Sequence, residues 1–477
     1  MKTDIAVLGG GPGGYSAAFR AADLGAEVVI VEQRGRLGGL CLHEGCIPSK
    51  ALLHVGRGIA RADELAEWGV RYDRPPAIDV DALRDRKNRC IGALAGGLDN
   101  LARQRKVRVI RARAALEGSG TLRLDGEGLD DDRLESDAII LATGSLPLVP
   151  PPLRIDSERL MTSREALALP EIPQTLLVIG GAYVGLEMAT TYARLGSRVT
   201  VVEMLDRLMS GADADLVKPL RQAIEPLMEQ ILLGTKVESV REQNGRLEVT
   251  MTREGRRQTG TYDRVLVAVG HRPCLDGIAL ESTGVEIGPD GFVKVDGQQR
   301  TTDGRIFAVG DIAGAPLLAH KAFKQGLVAA EVIVTGRGAF DARAIPQVVF
   351  TDPEVAWVGV TESQVRDEGL AVDVARYPWA ASGRAQTLGR TEGLTKLLFQ
   401  RDTGRLVGAG IVGADCGDLI AECALAIEGG LRARDLADTV HQHPTLSETV
   451  ADAAAAWLGE ATEIAPRHRA AAKEGKP

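Results

Sequence analysis

Asp4-Ile5-Ala6-Val7-Leu8-Gly9-Gly10-Gly11-Pro12-Gly13-Gly14 is the stretch that decides the fold. A short apolar run ends in glycines, and an Ala-rich helical pattern follows through Leu24. Glu27-Val28-Val29-Ile30-Val31-Glu32 then reads as a buried strand ending in an acid. The order strand, glycine turn, helix, strand, acid is the context that turns a glycine pattern into a dinucleotide-binding fingerprint. Gly9 allows the tight turn, Gly11 lets the backbone approach a pyrophosphate, and Gly14 lets helix and strand pack closely. The helix N-terminus supplies donors to the phosphates, and Glu32 accepts hydrogen bonds from a ribose.

The same succession recurs at Leu176-Leu177-Val178-Ile179-Gly180-Gly181-Ala182-Tyr183-Val184-Gly185, followed by a helix and by Val199-Thr200-Val201-Val202-Glu203. Glu32 follows Gly9 by 23 positions, and Glu203 follows Gly180 by the same 23. Here Ala182 replaces the middle glycine, and its methyl pushes against an approaching pyrophosphate. Glu203 welcomes a ribose hydroxyl and repels a 2′-phosphate, so this half is expected to prefer NAD to NADP. Ala138-Ile139-Ile140-Leu141-Ala142-Thr143-Gly144 and Val265-Leu266-Val267-Ala268-Val269-Gly270 read as the closing strands of the two repeats. Prolines at 147, 150, 151 and 152 mark a boundary. Ile306-Phe307-Ala308-Val309-Gly310-Asp311 is a further buried strand with a polar end, and from about Ile345 the texture becomes α+β.

Composition agrees. The chain has 477 residues, 44% hydrophobic and 26% charged, an ordinary globular usage that allows about three domains. The net charge of −8 argues against nucleic acid as a partner, because phosphate binding needs a basic footprint. The basic segment Arg103–Arg113 has no interleaved aromatic residues and reads as a solvated helix end followed by an edge strand. No apolar run approaches a membrane span. No signal segment precedes the first strand, so a reducing cytoplasm is expected, where six cysteines are not a disulfide framework.

The strongest chemistry lies in Gly38-Gly39-Leu40-Cys41-Leu42-His43-Glu44-Gly45-Cys46-Ile47-Pro48-Ser49-Lys50. Two cysteines five apart in an ideal helix are separated axially by about 7.5 Å. That exceeds the roughly 7 Å reach of a disulfide. Gly38, Gly39 and Gly45 supply freedom to distort the segment, and a strained accessible disulfide is labile. A metal site is the rival reading, but a second cysteine pair at ligand spacing is missing. His43 is expected to point to solvent. Near the C-terminus, His441-Gln442-His443-Pro444-Thr445-Leu446-Ser447-Glu448 sets His443 five residues before Glu448, the arrangement of a base with its orienter. His441 reads as structural packing, as do Cys90, Cys274, Cys416 and Cys423.

With these residues in hand, the chain resembles the pyridine nucleotide-disulfide oxidoreductases, and among them the dihydrolipoyl dehydrogenase branch, from Asp4 to about Trp457. The Cys41–Lys50 box, Leu318-Ala319-His320-Lys321-Ala322 and His443-Pro444-Thr445 with Glu448 carry the likeness. It implies two Rossmann-like domains and a C-terminal α+β dimerisation domain: FAD-binding over 1–147, NAD-binding over 148–271, a central domain completing the FAD site over 272–345, an interface domain over 346–463 and a flexible tail over 464–477. FAD would take the first fingerprint, with Lys50, Thr143, Gly144, Asp311 and Ala319; NAD would take Gly180, Gly185, Glu203 and Gly270. Lys50 would pair with Glu187, and His443 would act in the partner subunit of an obligatory homodimer. The implied reaction is oxidation of protein-bound dihydrolipoyl groups with reduction of NAD, the lipoyl group being borne by an acyltransferase or carrier protein of a 2-oxo acid dehydrogenase or glycine-cleavage system. A related NADH-dependent disulfide reductase, or a non-catalytic flavoprotein subunit, is the alternative. Leu40, His43 and Glu44 depart from the family's usual residues and add charge beside the pair; Gln325 stands where an acid is common.

Overall fold

A computed structural model of the protein describes residues 1–74 and 76–465. Of the tail expected over 464–477, residues 466–477 lie outside them. The chain forms two compact units. One comprises Met1–Val55, Asp73–Ile172 and Leu266–Asp341; the other comprises Gly56–Tyr72, Pro173–Val265 and the chain from Ala342 onward.

In the first unit, strand Lys2–Leu8 lies between Val28–Val31 and Arg133–Leu141, parallel to both, and Ile306–Ala308 pairs in parallel with Arg133–Leu141. Leu8 stands opposite Val31 and Leu141, and Leu141 opposite Ala308. All four strands therefore end at one level. Gly9, Glu32, Thr143 and Asp311 leave the sheet from the same edge, where open α/β sheets gather their ligands. Alternation decides the faces. Ile5, Val7, Ile30 and Ile140 pack with Ala17, Ala18 and Ala21 of helix Pro12–Asp23 and with Val328 and Ala329 of helix Ala319–Thr335. Ala6, Leu8, Val31 and Leu141 face a second core with Leu116, Leu122 and Leu134. Burial on both faces explains why these strands read as continuous apolar runs. Helix Val80–Gln104 precedes strand Arg108–Ile110, which lies at the sheet edge as expected of Arg103–Arg113.

The second unit repeats the scheme. Thr175–Ile179 and Arg198–Val202 are parallel with Ile179 opposite Val202, and helix Tyr183–Arg194 connects them. The two fingerprints match atom for atom. Gly9 N–H donates to Val31 O at 2.9 Å, and Gly180 N–H to Val202 O at 2.8 Å. A Cβ on Gly14 would fall 1.9 Å from Gly9 O, and one on Gly185 would fall 1.9 Å from Gly180 O. A three-stranded antiparallel sheet, Thr235–Gln243, Arg246–Arg253 and Arg256–Tyr262, adds to this half.

The C-terminal part is a five-stranded antiparallel sheet in the order Gln347–Val349, Glu354–Gly359, Leu406–Gly413, Leu394–Gln400, Val372–Pro378. Helices Cys416–Gly429 and Glu448–Leu458 pack on it around Trp379, Tyr377 and Phe399. Cys416 and Cys423 are fully buried in this core, in the packing role expected of them. Lys396 is also buried, 1% exposed at its side chain, and its Nζ lies 2.7 Å from Asp213, 2.6 Å from Asp215 and 3.3 Å from Glu362. Among the described residues these are the carboxylates that converge closely enough to grip a cation, and the ammonium already sits among them. Burial pushes Asp213 up, but Lys396 and the N–H groups of Glu362 and Ser363 outweigh it and hold the carboxyl below its usual range. Removing one partner of a buried ion pair costs about 3–5 kcal/mol. Lys396→Met is therefore expected to lower the urea midpoint markedly, and an unchanged midpoint would show the cluster to be energetically idle.

Candidate active site

Each fingerprint acid is held by the turn in front of it. Glu32 Oε2 accepts the Gly10 N–H at 2.8 Å, and Oε1 accepts the Arg34 N–H at 2.9 Å. Glu203 does the same with Gly181 at 2.6 Å and Leu205 at 2.8 Å. The carboxylates are thus aimed before any ligand arrives. Gly11 and Ala182 are the N-caps of their helices, and neither helix start carries a side-chain cap. A Cβ on Gly11 would meet only Gly39 Cα, at 3.8 Å. No tight contact closes off that side of the turn at the helix N-terminus, which fits the approach of a dinucleotide's pyrophosphate. Ala182 has ordinary extended backbone, φ −93°, so its methyl costs no strain.

The cysteine segment breaks where the glycines stand. Helix Gly39–Glu44 ends at Gly45 (φ −144°, ψ −106°), and Cys46 opens helix Cys46–Glu64. Cys41 and Cys46 are unbridged. The hydrogen bond that the Cys41 thiol donates to Cys46 comes first, and with burial and the charge on Cys46 it pushes that thiol well above its usual range; the Cys46 amide and Lys50 pull it down. Cys46 stands at the positive end of a helix dipole, a place that favours a thiolate. Tyr15 senses the pair. Burial, then the charges at Cys41 and Cys46, push its phenol up to about 12.

His43 corrects an expectation: it does not point to solvent. Its Nε2 lies 2.8 Å from Leu37 O, and its Nδ1 is buried. Burial outweighs that hydrogen bond, so the imidazole titrates below its usual range and is neutral at pH 7. Asp311, on the turn after Ile306–Ala308, accepts the Ser145 hydroxyl at 2.6 Å. Burial depresses His271 and Lys321, and the Asp311 charge opposes it in both. Gln325 Oε1 accepts the Gly310 N–H at 2.9 Å, a neutral side chain satisfying the turn that carries Asp311. Thr143 donates to Cys274 O at 2.8 Å, and Cys274 N–H to Gly144 O at 2.9 Å. Ala319 starts a helix without a side-chain cap. Gly270, at φ +124°, accepts the Leu148 N–H.

In the second unit, Glu187 is 3% exposed and accepts the Phe350 N–H at 3.0 Å. His443 Nδ1 lies 2.8 Å from Glu448 Oε1, and Glu448 Oε2 accepts the Thr445 N–H at 2.6 Å. The His443 ring is 74% exposed. His441 is different. Its ring is 9% exposed and tied to Glu422 at 2.9 Å and to Thr439 O at 2.9 Å, the structural role expected of it. The first unit thus gathers Gly9, Gly11, Gly14, Glu32, Cys41, Cys46, Lys50, Thr143, Gly144, Gly270, Asp311 and Ala319; the second carries Gly180, Gly185, Glu187, Glu203, His443 and Glu448. Tyr15, Ser145 and His271 were not legible as site residues, because each meets its partner, the cysteine pair or Asp311, far along the chain.

The family model described as pyridine nucleotide-disulphide oxidoreductase matches residues 3–326, and that family's dimerisation domain matches residues 345–454. The chain belongs to this family. Dihydrolipoyl dehydrogenases of Vibrio cholerae and Haemophilus influenzae are 44% and 45% identical to it, each alignment covering 97% of both chains. The mitochondrial dihydrolipoyl dehydrogenase of Dictyostelium discoideum is 40% identical, covering 95% of this chain and 94% of its own. Among solved structures, LpdA from Mycobacterium tuberculosis superposes with a TM-score of 0.87 at 28% identity, covering 95% of this chain and 99% of its own. The HOCl-induced flavoprotein disulfide reductase RclA of Escherichia coli, in its Cu(II) complex, gives 0.85 at 26%, with the same coverage. The protein is an oxidoreductase of this family, whose cofactors are FAD and NAD(H). No helix among the described residues is long and apolar enough to cross a membrane.

The His443–Glu448 contact has a direct signature. The hydrogen bond to Glu448, then its charge, raise the imidazole above its usual range. His443 thus carries its proton to higher pH than a free histidine. Glu448→Gln is expected to return the His443 titration, followed by NMR, toward the ordinary value; an unshifted midpoint would show that Glu448 does not control it.

Proposed function

We propose that this enzyme oxidises protein-bound dihydrolipoyl groups to lipoyl with reduction of NAD, the Cys41–Cys46 pair being the exchanging disulfide. The observation that carries the reading is the pair itself: two cysteines on either side of the Gly45 break, with the Cys41 thiol hydrogen-bonded to Cys46. The names of the 44% and 45% identical relatives supply the substrate.

Gly9, Gly11, Gly14 and Glu32 would hold the pyrophosphate and adenosine ribose of FAD, with Lys50, Thr143, Gly144, Asp311 and Ala319 toward the rest of the molecule. When bound, FAD supplies the two-electron carrier between the dithiol and NAD. Gly180, Gly185, Glu203 and Gly270 would hold NAD. The domains would run 1–147, 148–271, 272–345 and 346–463, with a tail beyond.

His443, made more basic by Glu448, takes the proton of one dihydrolipoyl thiol. The resulting thiolate attacks Cys41 Sγ, the Cys41–Cys46 bond breaks, and Cys46 leaves as a thiolate. The second substrate thiol closes the lipoyl ring, expelling Cys41, which takes up a proton. Substrate loses two electrons and two protons; the pair gains the two electrons and holds one proton on Cys41, while His443 holds the other. A 74% exposed base that lies beyond its own core suits action in a partner subunit, so the working form would be a homodimer with two shared sites. The partner protein would be the lipoyl-bearing acyltransferase or carrier of a 2-oxo acid dehydrogenase or glycine-cleavage system, and the compartment the cytoplasm.

NAD reduction by dihydrolipoamide tests this, with Cys46→Ser as control. Turnover that disappears in Cys46→Ser supports the reading. Diaphorase activity without dihydrolipoamide turnover would move the protein to a different disulfide substrate, as the RclA likeness allows. His443→Ala is expected to lose about 10²- to 10⁴-fold in rate. Near-full activity in that variant would remove His443 from the role.

A further inference from the structure

Glu44 occupies an unfavourable place. It is the last residue of helix Gly39–Glu44, where a carboxylate faces the negative end of the helix dipole. Two guanidinium groups meet it there. Arg34 Nη1 lies 2.9 Å from Oε1, an ion pair without hydrogen-bond alignment, and Arg164 Nε donates to Oε2 at 2.8 Å. The Glu44 side chain is 20% exposed between them.

These contacts tie the cysteine helix to two fixed bodies. Arg34 follows strand Val28–Val31, and its own N–H is bonded to Glu32. Arg164 lies in helix Ser163–Ala168, whose start is fixed by the Thr162–Glu165 capping box. His43 reinforces the tie through Leu37 O at 2.8 Å, and Gly38 N–H donates to Gly10 O at 2.8 Å. Glu44 stands one residue before the Gly45 joint and two before Cys46. In the dithiol no covalent bond joins Cys41 to Cys46, and the helix breaks between them at Gly45. The Arg34–Glu44–Arg164 ties hold this joint.

We propose that Arg34, Glu44 and Arg164 form a positioning clamp that keeps the reduced Cys41 and Cys46 aligned for closure and so sets their dithiol–disulfide equilibrium. The proposal rests on the reading of Cys41–Cys46 as the exchanging pair. A clamped dithiol has less freedom to lose on closing, which favours the disulfide. Loosening any of the three residues favours the dithiol. A purely electrostatic role makes a different prediction. Losing Glu44 would favour the Cys46 thiolate, but losing Arg34 or Arg164 would disfavour it. The arginine variants therefore carry the test.

The purified flavoenzyme is equilibrated in dithiothreitol redox buffers at one pH, and the oxidised fraction of the pair is read by alkylation and mass spectrometry. Glu44→Gln, Arg34→Ala and Arg164→Ala are each expected to shift the constant about three- to tenfold toward dithiol, about 15 to 30 mV for a two-electron couple. Arg34→Lys, which keeps the charge but not the reach and shape of the guanidinium, should shift it the same way by less and serves if Arg34→Ala does not fold. The double variant Arg34→Ala with Glu44→Gln should shift little beyond either single one. Unchanged constants, or arginine and glutamate variants moving in opposite directions, overturn the clamp while the wild-type couple stands. A wild-type pair that does not titrate in these buffers overturns the exchanging-pair reading, and the clamp with it.

Discussion

Glu32 and Glu203 each accept the N–H of the second glycine of the turn in front of them, and the two nucleotide-binding halves are organised around that contact. The carboxylate sits at the end of the second strand; the glycine sits at the end of the first. Their hydrogen bond holds the two strand ends together while the turn between strand and helix stays open. It depends in turn on the close passage of helix over strand, where the carbonyls of Gly9 and Gly180 leave no room for a side chain on Gly14 or Gly185. A side chain at either point would move the helix, the turn and the acid together. In the first half the consequences reach further, since Glu32 also holds Arg34 and Gly10 also holds Gly38, so the cysteine segment is anchored on the same turn.

Much of this was legible in the residues alone. The repeat of strand, glycine turn, helix and acid located both halves, because continuous apolar runs and glycine positions report directly on a sheet buried on both faces. The cysteine box and the His443–Glu448 spacing were legible for a similar reason: their chemistry is local, within five residues in each case. Ser145 was not, since its role exists only through Asp311, 166 positions away. Tyr15 reads as an ordinary aromatic beside a glycine turn until the fold brings the cysteines near it. The hairpins of Thr235–Tyr262 had signals that went unread: Asn244-Gly245 and Glu254-Gly255 sit at their turns, all four with positive φ. His43 was misread because histidine in a short polar segment suggests solvent, whereas Leu37 O offers it a partner underneath.

The site residues divide according to how they are held. Glu32, Glu203, Asp311 and Glu448 are each fixed by N–H or O–H donors before any ligand is considered. Such groups lose little freedom when a ligand arrives, so their hydrogen bonds go mostly into affinity and orientation. The cysteine pair is the exception. It is built on a break in the helix at Gly45, and the proposed exchange needs the two sulfurs to approach to bond and to part again. There the buried Leu42 packs the helix, and the ion pairs of Glu44 with Arg34 and Arg164 add to that packing beside the Gly45 break.

Lys396 gives the second unit a property of its own. Asp213 and Asp215 from one stretch of chain and Glu362 from another converge on it, and its ammonium, with Arg376 beside Asp215 and Glu362, offsets their charge from within the same polypeptide. A dissolved ion in that place would exchange with the medium and could be stripped by a chelator. A tethered one is always present at one equivalent, so these carboxylates have their counter-charge as soon as the chain folds.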